Sequence, residues 1–293
     1  MQRPKAKSEG LRVEPPLRTQ PVVCLSIAGL DPSGGAGILA DVRTFAAFGC
    51  FPAAAVTSVT FQNTQAVFGA VSQSPDTVRH QIEPVFDDYD VAAVKTGMLP
   101  DAGVIETVAG IIDERGVERL VVDPVVRSTS GFDLIDDAAL RSLIDTLFPF
   151  STVVTPNIPE AERISGMDIE GKDSIIEAAR RIRELGARNV LIKGGHIPCE
   201  ETEEFRIGVR RAVDFLFIGD DLTEIEDEFI ETDATHGTGC VLSSAIAAGL
   251  ASGSDLKSAV RFAKSFVTNA IRSAPLIGKG HSPINIDSDL VRD

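Results

Sequence analysis

An α/β fold, with a central and mostly parallel sheet covered by helices on both faces, is what this sequence predicts. Two observations predict it. Apolar runs of strand length alternate with longer segments whose apolar residues recur at three-to-four spacing. The apolar runs end in loops carrying glycine, amide or carboxylate residues, and in such sheets ligands lie outside the carboxyl ends of the strands.

Composition sets the bounds. The chain holds 293 residues, 43% of them hydrophobic, enough to bury a large core. Residues 1–20 carry Arg3, Lys5, Lys7, Arg12 and Arg18 among Pro4, Pro15 and Pro16 and have no apolar h-region. They read as a disordered tail rather than a secretory signal. Residues 21–286 read as one folded domain and 287–293 as a short tail. No run of about 18 apolar residues occurs, so no membrane span is expected. The net charge of −15 argues against nucleic acid as a partner. The four cysteines, Cys24, Cys50, Cys199 and Cys240, show no CxxC pairing. They suggest neither a disulfide framework nor a zinc site, which places the protein in a reducing cytoplasm. Cys24 and Cys50 lie in apolar runs and read as packing residues.

Residues 22–28 form the first predicted strand, running into Gly29-Leu30-Asp31-Pro32-Ser33-Gly34-Gly35-Ala36-Gly37. A helix over about 36–48 follows, with Ile38, Leu39, Val42, Phe45 and Ala46 on one face and Asp41 among them. Four glycines beside two carboxylates favour a ligand loop over a plain turn. Residues 52–60 are a second strand ending at Phe61-Gln62-Asn63-Thr64. An amide there reads a heteroaromatic ring or merely solvates a turn. A helix is expected over 74–86, a strand over 91–95 leading to Gly97 and Met98, and a helix over 101–115. A strand over 119–122 delivers Asp123 to its C-terminal end, where open sheets place ligand groups.

A helix over 136–148 and a strand over 152–154 precede Thr155-Pro156-Asn157-Ile158-Pro159-Glu160. Asn157 and Glu160 lie three apart across a loop-to-helix corner, so both face one site or simply cap the helix. A charged helix over 172–185 and a strand over 189–192 close on Lys193-Gly194-Gly195-His196, where a lysine can meet a phosphate as a point charge. Residues 198–211 read as an exposed excursion and 213–217 and 228–231 as short strands. The acidic run from Asp220 to Glu228 reads as solvated surface, and 256–274 as the last helix.

Before that helix stands Thr235-His236-Gly237-Thr238-Gly239-Cys240, followed by an alanine-rich apolar run. A glycine loop feeding a helix N-terminus offers free backbone N–H groups to an anion. Cys240 falls in the first turn, where a thiol is expected to be drawn toward the thiolate. No GxxxxGK[ST] sequence is present, so a nucleoside triphosphate would need another cradle.

Seven segments now stand in order: 28–37 (AGLDPSGGAG), 62–64 (QNT), 97–99 (GML), 122–125 (VDPV), 155–161 (TPNIPEA), 193–196 (KGGH) and 235–240 (THGTGC). Together they resemble the hydroxymethylpyrimidine/phosphomethylpyrimidine kinases of the ribokinase-like superfamily, over about residues 22–285. The resemblance implies a ribokinase-like fold and two successive ATP-dependent phosphorylations of a pyrimidine alcohol in thiamine biosynthesis, with ATP and Mg2+. It implies that Gln62 bonds the aminopyrimidine and that Gly29, Asp31, Ala36, Asp41 and Met98 line the substrate pocket. Gly237, Thr238 and Gly239 would form the anion hole, and Cys240 stands where sugar-kinase relatives carry an aspartate base. Lys193, Asn157, Glu160 and Thr235 fall on the ATP side, and Asp123 and Glu160 on the magnesium side. A homodimer is within what the resemblance allows.

One departure stands out: many members carry a lysine where this chain has Thr129, and Arg127 lies two residues earlier. Three alternatives are set against the pyrimidine kinase. A pyridoxal/pyridoxine kinase uses the same scaffold, although Gln62 and Met98 favour the pyrimidine. A non-catalytic pyrimidine sensor would rest on Thr129. A thiol hydrolase built on Cys240 and His236 lacks an orienting acid in the sequence.

Overall fold

The computed structural model describes residues 20–126, 134–194 and 210–287. Nine strands join in one sheet. They are β1 (Val23–Leu30), β2 (Phe51–Gln62), β3 (Val67–Ser72), β4 (Val91–Thr96), β5 (Leu120–Val122), β6 (Val153–Val154), β7 (Asn189–Lys193), β8 (Arg211–Ile218) and β9 (Asp221–Glu228). Their order is β3-β2-β1-β4-β5-β6-β7-β8-β9. The six strands from β2 to β7 pair in parallel, while β3, β8 and β9 are antiparallel additions at the two edges.

Alternation along each strand builds two cores, because successive side chains point to opposite faces. Leu25, Ile27, Val94, Val122, Val154 and Ile192 enter one core. It is closed by α2 (Pro75–Asp88), α3 (Ala102–Glu114), α4 (Asp137–Ser142), α5 (Ile158–Ser165) and α6 (Lys172–Glu184). Cys24, Ala93, Val121, Val153 and Leu191 enter the other. That core is closed by α1 (Gly37–Ala47), α7 (Thr238–Ala251) and α8 (Leu256–Arg272). The expected α/β architecture with helices on both faces is therefore present, and Cys24 and Cys50 are buried packing residues.

Two strands differ from expectation. β3 is an edge hairpin partner of β2, closed by Asn63, whose side chain accepts from the Gln65 and Ala66 amides. The acidic run 220–228 is largely β9 rather than loose surface. It follows a two-residue Gly219-Asp220 turn, with Ile218 opposite Asp221, and Ile225 turns inward while the charges face solvent. The helix expected over 136–148 keeps α-geometry only to Ser142, then widens into a π-turn over Leu143–Leu147. Thr129, Arg127, Gly195, His196, Cys199 and the proposed tails lie outside the described residues, apart from the exposed Gln20 and Asp287.

β1 decides where a ligand can sit. From it the chain builds outward to β2 on one side and to β4–β7 on the other. That change of direction leaves a crevice at the carboxyl ends of the central strands. The β1–β2 register shifts between Ala28 and Gly29, two residues before β1 ends and the glycine loop begins.

Candidate active site

A cavity of about 570 Å³ opens at these strand ends. Gly29, Asp31, Ala36, Gln62 and Met98 line it, as do Asp123, Asn157, Glu160, Lys193, Thr235, Gly237, Thr238, Gly239 and Cys240. The sheet thus brings together residues spread from 29 to 240.

The start of α7 is an anion site in form. Gly237, its N-cap, takes the left-handed conformation (φ +85°), and a Cβ there would collide with the Gly35 carbonyl oxygen. No side chain caps the first turn; the Thr238 amide turns back to the Thr235 carbonyl at 3.3 Å, while those of Gly237 and Gly239 have no partner among the described residues. A Cβ on Gly239 would stand 3.2 Å from the Lys193 ammonium. A cation and a helix N-terminus thus face the same space, and both favour negative charge.

Lys193 is itself held by acids. Its Nζ donates to Asp123 Oδ1 at 3.0 Å and lies 3.9 Å from Glu160 Oε2. Asp123 also accepts from Thr155 at 3.2 Å and Ser243 at 3.3 Å. Burial would raise the Asp123 carboxyl, but Lys193 and Lys95 outweigh it and hold it below the usual range. Glu160 goes the other way. Burial pushes it up to about 7, Lys193 draws it back, and the Asp123 charge adds to the rise. Asn157 and Glu160 form a capping box at α5, each side chain bonding the other's backbone amide at 2.8–2.9 Å. The capping reading is correct, and both residues also line the cavity. Among the described residues no cluster of three or more His, Cys, Asp or Glu could hold a metal. Asp123 and Glu160 alone suit a magnesium ion that brings its other ligands with a nucleotide.

Two expectations need correction. Asp41 does not line the cavity. It is fully buried behind it, paired with Lys95 and hydrogen-bonded by Ser26 and Ser244. Helical spacing placed Asp41 on the buried face of α1, where a lone carboxylate must find a cation. The cavity wall is Lys95 instead. Cys240 is not a pre-formed thiolate either. Burial pushes the thiol up to about 11, outweighing the pull of Lys95, with Asp41 and Asp123 adding to the rise and the Gly37 amide opposing it. The helix terminus expected to lower it is overridden by the lack of water.

His236 engages Asp31, Nε2 to Oδ2 at 2.8 Å. The orienting acid missing from the sequence therefore exists, but no hydrogen bond joins His236 to Cys240 among the described residues, so the thiol hydrolase dyad is not formed. Sequence reasoning also missed Lys95, Asp214 and Lys264. Lys264 donates to Asp214 at 2.8 Å, and Asp214 accepts the Gly194 amide at 3.0 Å. Both buried residues line the far side of the cavity. The available signal was a charge set directly against apolar strand residues, Lys95 after Val94 in 91–96 and Asp214 between Val213 and Phe215 in 211–218.

Residues 31–285 match the family model described as phosphomethylpyrimidine kinase. A hydroxymethylpyrimidine/phosphomethylpyrimidine kinase of Bacillus subtilis is 42% identical over 261 residues, 89% of this chain and 93% of that protein. The thiamine biosynthesis bifunctional protein of Geobacter sulfurreducens is 43% identical over 271 residues, 92% of this chain. The chain spans about half the length of that relative, 53%. Among solved structures, an ADP complex of Bacillus subtilis pyridoxal kinase superposes with TM-score 0.82 at 35% identity, covering 93% of this chain and 99% of the other. A phosphomethylpyrimidine kinase of Clostridium difficile gives 0.73 at 37%, covering 85% and 99%. The ribokinase-like fold is shared with these kinases.

Proposed function

The chain belongs to the phosphomethylpyrimidine kinase family, and on that premise we propose that it uses ATP to phosphorylate a pyrimidine alcohol twice. The acceptor is 4-amino-5-hydroxymethyl-2-methylpyrimidine, then its monophosphate, and the product is the diphosphate needed for thiamine. The observation that carries this reading is the Lys193 ammonium against the glycine start of α7, in one cavity with Gln62. Phosphoryl transfer passes through a loose transition state, so positioning and charge neutralisation carry most of the catalysis.

Each group then has a task. Gln62 bonds the aminopyrimidine edge, with Gly29, Asp31, Ala36 and Met98 forming the rest of its pocket. The amides of Gly237, Thr238 and Gly239 receive the charge of the moving phosphoryl group. Lys193 leaves its carboxylate partners for the nucleotide phosphates, with Asn157 and Thr235 beside it. Magnesium entering with ATP would be held by Asp123 and Glu160 and would supply charge neutralisation. Cys240 is the base for the acceptor hydroxyl on one condition: the thiol must first lose its own proton, and Lys95 is the cation placed to favour that. A loose transition state asks for little early deprotonation, which suits so weak an acid.

A second reading, pyridoxal kinase, is favoured by the superposition on the Bacillus subtilis pyridoxal kinase. Coupled ATP turnover with hydroxymethylpyrimidine, its monophosphate and pyridoxal in parallel separates the two. Faster turnover of pyridoxal would reverse the order. ATP turnover coupled to any of these acceptors excludes the sensor. The same reading places the enzyme in the cytoplasm; among the described residues no helix is long and apolar enough to cross a membrane. It also allows a homodimer, supported by the exposed Phe68 and Val71 on edge strand β3, and light scattering tests that.

A further inference from the structure

His236 is not needed for any step above, yet it is built into the site. Its Nε2 lies 2.8 Å from Asp31 Oδ2, and since a carboxylate only accepts, the imidazole donates. Asp31 is the hub of the first glycine loop. It accepts the Ser33 amide at 2.8 Å, the Ser33 hydroxyl at 2.7 Å and the Ala36 amide at 2.9 Å. Burial would raise its carboxyl, but His236 and Ser33 together hold it below the usual range, so it is an anion at neutral pH. The His236 ring packs on Gly35, where any Cβ would collide with it, and Gly237 packs on the Gly35 carbonyl oxygen. The His236 amide donates to Ser282 at 3.2 Å, fixing the second loop from behind.

One loop lines the acceptor pocket and the other begins the anion hole. We propose that His236 is a positioning residue that, through Asp31, sets the distance between the acceptor hydroxyl and the phosphoryl group. This rests on the kinase reading above. Misplacement by about 1 Å can cost about 100-fold in rate, so the pair acts on turnover rather than on nucleotide binding.

The test compares His236→Ala and His236→Gln with the wild-type chain. Expected for His236→Ala is a fall in kcat of about 10-fold or more, with the KM for ATP within about twofold. His236→Gln keeps an N–H donor at similar reach and is expected to recover most of the rate. Faster amide hydrogen exchange at 35–37 and 237–239 in the alanine variant supports the proposal without reference to turnover. An unchanged kcat in His236→Ala overturns it, as does equal loss in both variants or a rise in the KM for ATP alone. A wild-type chain that phosphorylates none of the three acceptors overturns the kinase reading instead. The exchange comparison then still decides whether His236 joins the loops.

Discussion

Lys95 donates to both carboxylate oxygens of Asp41, at 2.9 and 2.8 Å, and neither side chain exposes any surface. Ser26 of β1 and Ser244 of α7 complete the shell of Asp41 at 2.6 and 2.8 Å. The pair therefore ties β1, β4, α1 and α7 together directly beneath the cavity. Removing one partner leaves a buried charge unpaired, which costs about 3–5 kcal/mol. Lys95→Met and Asp41→Asn should each lower unfolding free energy by about that much. The double variant should lose clearly less than the sum, because it strands no charge. Urea unfolding of the four proteins checks this, and strict additivity would show that the pair is not an energetic unit.

Cys240 makes a prediction about reactivity. Its thiol is pushed from an ordinary 9.0 up to about 11, so at neutral pH it is protonated. Its alkylation by iodoacetamide in the ligand-free enzyme, followed by peptide mass spectrometry, should keep rising up to about pH 11. Levelling off near pH 8 would contradict the burial. Cys240→Ala should lose about 100-fold or more in turnover, the lower range for a lost acid–base group, with near-normal folding. Undiminished turnover would remove Cys240 from the chemistry.

Much of this was legible in the sequence, and the exceptions share a cause. The strand–helix alternation, the glycine loops and the residues at strand ends were readable because period and turn chemistry are local properties. β3 was missed because the strand is only six residues long and Gly69 interrupts its apolar run. β9 was hidden by its charge, although Gly219-Asp220 is a hairpin dipeptide and Ile225 marks an inward face. The resemblance carried Asp41 to the pocket, and local spacing could not show that Lys95, 54 residues on, would meet it first. The Cys240 thiol was misjudged because helix position is visible in a sequence and dehydration is not.

Glu160 gives a pH signature. The fold raises its carboxyl from 4.5 to about 7, chiefly by burial. An acid raised in the folded state takes up a proton on folding, so its stabilisation is full below pH 4.5 and is lost as pH rises through about 7. Without nucleotide or metal, the stability of the wild-type chain should carry this downward contribution across that window. Glu160→Gln should flatten it while impairing turnover. Parallel slopes for the two proteins in chemical unfolding from pH 4.5 to 7.5 would place Glu160 at an ordinary value.

Gly237 separates the cost of a backbone conformation from the cost of a collision. At φ +85° an alanine is strained by about 1–3 kcal/mol wherever it sits. Gly253, at φ +89°, has nothing within 4 Å of the added Cβ, so Gly253→Ala carries that strain alone. Gly237→Ala carries it too and also drives a methyl into the Gly35 carbonyl oxygen, which must move. The displaced backbone is the donor array meant for the phosphoryl group, and losing one such donor costs about 100- to 1,000-fold in kcat. Gly253→Ala should therefore lower the melting temperature and leave turnover intact. Gly237→Ala should lower both, with turnover down about 100-fold or more. Equal turnover in the two variants would mean that the close approach of the loops is not what sets the anion hole.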